Sequence, residues 1–150
     1  MKVVLYQPQI PQNAGNIVRT CKVTGSDLIL VKPLGFSISN KALKRAGLDY
    51  WDGVNVLVID DLIPYLETCD TPFYFLSSKA SIPYTEISFR MDTTLIFGSE
   101  TAGLDPIFLE RWPERFCTVP MKKDSRCLNL ANTVSIVIYE GWRQQGFSGR

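Results

Sequence analysis

A chain of 150 residues, 45% of them apolar, has the size of one domain that buries roughly two thirds of its unfolded surface, and its four cysteines form no C-x-x-C pair. It contains no histidine, which excludes Ser-His-Asp and Cys-His hydrolysis, His-ligated metal sites and imidazole acid/base catalysis. A formal charge of +1 gives no global field for nucleic acid, so RNA binding would rest on local clusters: Arg19 with Lys22; Lys41, Lys44 and Arg45; Lys122, Lys123 and Arg126.

The cysteine usage reads as reduced and cytoplasmic. The opening Met-Lys-Val-Val-Leu-Tyr-Gln-Pro is too short and too soon broken to serve as a signal peptide. No apolar stretch reaches membrane-spanning length.

The first β-rich run covers residues 3–6. Residues 11–20, Pro-Gln-Asn-Ala-Gly-Asn-Ile-Val-Arg-Thr, then open a helix predicted over 15–24. Asn13 and Asn16 are available as caps, and Ile17, Val18 and Cys21 face inward. Arg19 falls about one turn into that helix, as a solvated cation or directed at the mouth of the preceding loop.

Further short runs lie at 28–31, 54–59, 73–76, 94–97 and 116–119, several without polar alternation, as in strands buried on both faces. Helices are predicted between them at 41–46 after an Asn40 cap, at 62–69 after Asp60 and Asp61, and at 105–111 from Asp-Pro. The alternation predicts an α/β domain with a mostly parallel sheet flanked by helices. No repeat, low-complexity tract or linker divides it, so residues 1–150 read as a single domain.

Two later segments carry chemistry. In Leu95-Ile96-Phe97-Gly98-Ser99-Glu100-Thr101-Ala102-Gly103-Leu104 an apolar strand runs into a glycine, a lone carboxylate and a second glycine. That is a ligand-approach loop beyond a strand end, or a turn needing flexible φ at both glycines. Neither G-x-G-x-x-G nor a P-loop lysine is present.

Arg126-Cys127-Leu128-Asn129-Leu130-Ala131-Asn132 sets a cation, a thiol and two amides ahead of an apolar run. Asn129 or Asn132 can cap the helix, but one cap leaves the other groups unexplained at a terminus that favours electron-rich ligands. The helix has Leu130, Val134, Val137, Ile138 and Gly141 on one face and Ile136, Tyr139 and Trp142 on another. Apolar character nearly all round predicts a homodimer interface, the alternative being cover by the C-terminal tail.

Taken together, Asn-x-Gly-Asn-x-x-Arg-Thr at 13–20, Phe-Gly-x-Glu-x-x-Gly-Leu at 97–104, and Val-Pro-Met followed by Arg-x-Leu-Asn-Leu-x-Asn-x-Val at 119–134 resemble the three motifs of the SpoU branch of the SPOUT methyltransferases. Tyr6-Gln-Pro-Gln-Ile-Pro, Arg45-Ala-Gly-Leu-Asp-Tyr and Tyr139-Glu-Gly-Trp-Arg extend the likeness along most of the chain. With no added RNA-binding domain, it is similar to the small TrmL-type tRNA methyltransferases.

The resemblance implies an α/β fold closed by a C-terminal deep trefoil knot, a homodimer, and S-adenosylmethionine as cofactor without a metal. Its implied activity is 2′-O-methylation of the wobble nucleotide, position 34, a cytidine or uridine derivative, in tRNA(Leu). By motif, Leu76, Gly98, Val119, Met121, Cys127 and Leu128 line the cofactor pocket, and Arg19 is the catalytic arginine with Asn13, Glu100 and Asn129 around it. Arginine titrates above about 12, so charge stabilisation and phosphate holding suit it better than proton abstraction.

One departure stands out: position 127 is Cys where the pattern usually has Ser, and a thiol is the poorer hydrogen-bond donor. Competing readings are a methyltransferase of another tRNA or rRNA ribose, a catalytically silent RNA-binding module, and a flavodoxin-like domain.

Overall fold

The computed structural model describes residues 1–38 and 53–149. The helix expected at 41–46, its Asn40 cap and the cluster of Lys41, Lys44 and Arg45 lie outside the described residues.

Strands β1 (Lys2–Tyr6), β2 (Asp27–Val31), β3 (Val56–Ile59), β4 (Phe73–Leu76), β5 (Thr94–Phe97) and β6 (Phe116–Cys117) build one sheet in the order β3-β2-β1-β5-β4-β6. Every pairing is parallel, as the alternation predicts. The central β5 is buried along its whole length, the reason its sequence shows no polar alternation.

Side chains leave the strands alternately to two helical layers. On one side Val3, Leu5, Leu28, Leu30, Leu95 and Phe97 pack on α1 (Pro11–Thr24) and α4 (Leu130–Gln144). On the other, Val4, Ile29, Ile96 and Phe75 meet α2 (Leu62–Glu67) and α3 (Pro106–Arg111). Asp61 and Asp105 cap these two short helices by accepting the Ile63 and Ile107 N–H at 2.9 and 3.0 Å. Thr20 on α1 and Ser135 on α4 join the longer pair through their hydroxyls, 3.0 Å apart.

The run expected at 116–119 pairs with β4 only at Phe116 and Cys117. Thr118 instead bonds the segment that follows β4: its N–H donates to the Ile82 carbonyl, and the Tyr84 N–H donates to its own carbonyl, both at 2.8 Å. That segment is also fastened to the end of α4. The Gln144 amide accepts the Phe89 N–H at 2.8 Å and donates to the Ile87 carbonyl at 3.0 Å. No helix among the described residues is long and apolar enough to cross a membrane.

Candidate active site

The strand order creates an opening. The chain leaves β1 toward β2 on one side and leaves β5 toward β6 on the other, so the carboxyl ends of the adjacent β1 and β5 diverge. Such a switch point is where open α/β sheets bind ligands.

The Glu100 carboxylate spans it. One oxygen accepts the Gln9 N–H at 2.8 Å; the other accepts the Ile10 N–H at 3.2 Å and the Asn13 amide at 2.9 Å. Partial burial alone would raise this carboxyl, but the bonds from Gln9, Asn13 and Ile10 outweigh it and hold the group below its ordinary value. Glu100 is therefore ionised and committed as an acceptor, a poor position from which to take a proton.

Asn13 continues the chain of contacts. The sequence offers it and Asn16 as helix caps; the helix instead begins at Pro11, with Ile10 as a cap that makes no side-chain bond. Pro at the first helical position needs no donor satisfied there, which moves the start upstream of the asparagines. Asn13 is thus inside α1 and only 6% exposed, and its oxygen accepts the Asn129 amide at 2.9 Å.

Asn129 caps α4, accepting the Ala131 N–H at 2.8 Å, while Asn132 is exposed inside the helix. The orientation of each amide follows: Asn129 gives its oxygen to the helix and its NH2 to Asn13, which leaves the Asn13 NH2 for a carboxylate that only accepts. Three segments distant in sequence are locked into one constellation.

Gly98 and Gly103 shape the loop between them, for different reasons. Gly103 has φ +73° and needs the left-handed region. Gly98 does not; a Cβ there would lie 2.6 Å from the Gly103 carbonyl oxygen, so it is a close approach and not a flexible hinge. Reciprocal 3.0 Å bonds between Ser99 and Gly103 close the loop.

These elements wall a cleft of about 630 Å³. Leu76, Gly98, Val119, Met121, Cys127 and Leu128 all line it, together with Asn13, Glu100 and Asn129. Arg19 is not among the lining residues. Because α1 starts at Pro11, Arg19 falls in its third turn and is exposed. The cleft also takes in Ser77, Lys79 and Leu109, which sequence reasoning missed; Ser77 and Lys79 lie just beyond a strand already singled out, and Leu109 in the helix that follows the glycine loop. A shallower groove of about 510 Å³ at Lys32, Pro33, Leu34, Ile38 and Asp60 holds an exposed Lys32–Asp60 pair at 2.9 Å.

Of the four thiols, Cys21 and Cys117 are buried and pushed up to about 12 by desolvation, hence inert. Cys127 is exposed at the cleft.

An apolar cleft with a few fixed polar groups, at the switch point of a parallel sheet, is the kind of site at which α/β proteins bind small organic ligands. The SpoU rRNA Methylase family matches residues 1–139, and the chain belongs to that family. The tRNA (cytidine(34)-2'-O)-methyltransferase of Escherichia coli K12 is 41% identical over 151 residues, covering 99% of this chain and 96% of the relative. A solved structure concerned with the 2-OH methylation of C/U34 on tRNA is 40% identical, with a TM-score of 0.86 over 97% of this chain and 90% of that one. The SpoU methyltransferase AviRb of Streptomyces viridochromogenes, solved with AdoMet, shares the fold at 22% identity, with a TM-score of 0.79 over 100% of this chain and 59% of its own.

Proposed function

We propose that the chain uses S-adenosylmethionine to methylate the ribose 2′-hydroxyl of the wobble nucleotide, position 34, cytidine or a uridine derivative, in tRNA(Leu). The observation that carries this reading is the Glu100–Asn13–Asn129 constellation, which joins the three motif segments at one cleft. Near-full-length relatives named for this activity support it.

The cleft suits the cofactor. Its volume lies within the range of small-molecule pockets, its walls at Leu76, Val119, Met121 and Leu128 are apolar, and Gly98 lets the loop that borders it fold back closely on Gly103. S-adenosylmethionine supplies a methyl group on a sulfonium, and its transfer needs in-line positioning of the ribose oxygen more than proton chemistry. Leu76, Gly98, Val119, Met121, Cys127 and Leu128 hold the cofactor; Glu100, Asn13 and Asn129 fix the loops that aim it. Arg19 holds the phosphate beside the target and stabilises charge developing on the ribose oxygen.

Arg19 does this from a second subunit. It is exposed on α1, next in sequence to Thr20, whose hydroxyl meets Ser135 on α4, the helix that also carries Ile136 (36% exposed) and Tyr139 (44% exposed). The first turn of α4 lines the cleft through Leu130 and Thr133, so that face runs up to the cleft mouth. A homodimer docked there brings the arginine of each subunit to the cleft of the other.

The rest of the reading concerns the whole chain. Residues 1–150 act as one domain, in the cytoplasm, without a membrane or a metal. A trefoil knot is supported by the path of the chain after β6: Thr118, ahead of α4, and Gln144, the last residue of α4, both bond the segment between β4 and β5.

Methylation of tRNA(Leu) transcripts by the purified protein tests the reading. Transfer to a transcript with a ribose at position 34, and none to one with 2′-deoxyribose there, is expected. Equal transfer to both would place the methyl group elsewhere.

A further inference from the structure

The cleft holds three charged side chains: Glu100, Asp105 and Lys79. Both carboxylates are committed. Glu100 is engaged by three donors, and Asp105 accepts the Ile107 N–H at the start of α3. Lys79 forms no ion pair among the described residues.

Its backbone, by contrast, is fixed. The turn that begins at the end of β4 is held by the Ser77 N–H on the Cys117 carbonyl at 3.0 Å, the Ala80 N–H on the Ser77 carbonyl at 3.2 Å, and the Lys79 N–H on the Ser77 hydroxyl at 3.2 Å. A rigid turn thus presents an exposed ammonium at the rim of a cleft. The segment leaving β6, the strand paired with β4, carries Lys122, Lys123 and Arg126 between the cleft-lining Met121 and Cys127. All three are exposed, with Asp124 the one carboxylate among them.

A single carboxylate, such as that of an amino-acid moiety in the cleft, needs one cation. Four on two adjacent segments suit a chain of phosphates. We propose that Lys79 takes a backbone phosphate of the RNA next to the nucleotide entering the cleft, with Lys122, Lys123 and Arg126 on the phosphates that follow. This rests on the RNA substrate proposed above and names the protein side of that contact. As a compact point charge, Lys79 positions the strand without reading a base.

The test compares the unaltered protein with Lys79→Ala and Lys79→Arg, measuring S-adenosylmethionine affinity by calorimetry without RNA, and tRNA binding across a salt series. Lys79→Ala is expected to weaken tRNA binding about tenfold at low salt and to lower the log–log salt slope by about 0.7 to 0.9, one phosphate's worth, with cofactor affinity unchanged. Lys79→Arg should restore both. An unchanged slope, or weakened cofactor binding with intact tRNA binding, would overturn the assignment. Because the readout is binding, it is separate from catalysis: tRNA binding with the expected slope change but no methyl transfer would sink the functional reading and leave the Lys79 contact standing.

Discussion

Glu100 meets three donors from the chain itself, and that commitment has a pH signature. Its folded-state value lies below the ordinary carboxylate range, so the stabilisation is complete above that range and is lost as the pH falls through the folded value. Glu100→Gln should cost about 1 to 3 kcal/mol at neutral pH, since an amide NH2 then faces at least one of those donors. Thermal melts should show this penalty shrinking as the pH falls below the ordinary carboxylate range, and a penalty that grew on acidification would contradict the account. At Cys127 the opposite holds: the side chain is exposed, so Cys127→Ser should leave the melting temperature nearly unchanged. A large rise in turnover in that variant would show that the thiol impairs the site. Glu100 and Asn129 were legible because each broke a local rule, a lone carboxylate or an extra amide where a turn or cap needs none, whereas Leu76, Val119, Met121 and Leu128 followed only from the motif resemblance. The partners of Asn13 were not legible, because a buried asparagine and a helix cap look alike in sequence, and what distinguishes them lies 87 and 116 residues away.

At the scale of elements, α4 carries two functions at its two ends. Asn129 caps it and ties it to α1, so Asn129→Ala should cost about 0.5 to 2 kcal/mol from the cap alone and should loosen the Asn13 contact as well. At the far end Gln144 mimics a peptide group toward Ile87 and Phe89. Gln144→Ala should speed amide exchange at Phe89 and its neighbours while exchange in β1 and β5 stays slow; unaltered exchange there would remove Gln144 as the fastener. The strands at 73–76 and 94–97 appear where the sequence places them, because strands buried on both faces leave unbroken apolar runs. The run at 116–119 comes out shorter, since Thr118 finds its partners in a loop rather than in β4. Hydropathy carries no record of such a partner.

At the scale of the whole molecule, the homodimer proposed above would connect assembly to catalysis through the exposed apolar groups of α4. The apolar second face expected from the sequence is divided in the structure. Trp142 is covered by the C-terminal tail, its indole N–H donating to the Ser148 carbonyl at 3.0 Å and its ring meeting Phe147, whereas Ile136 and Tyr139 stay uncovered. A charge placed there, as in Ile136→Asp, should yield monomers in sedimentation analysis, with S-adenosylmethionine binding reduced far less than methyl transfer. Arg19→Ala and Arg19→Lys should both abolish transfer in an intact dimer, because Lys lacks the planar fork. Strand order stayed hidden in the sequence, since it is a relation among distant segments and not a property of a single run. The claim that governs all of these is the modified nucleotide itself. The most direct measurement is mapping of ribose methylation in tRNA(Leu) from cells lacking this protein: loss of the mark at position 34, restored by the unaltered protein and not by Arg19→Ala, is predicted, and an undiminished mark at position 34 would contradict it.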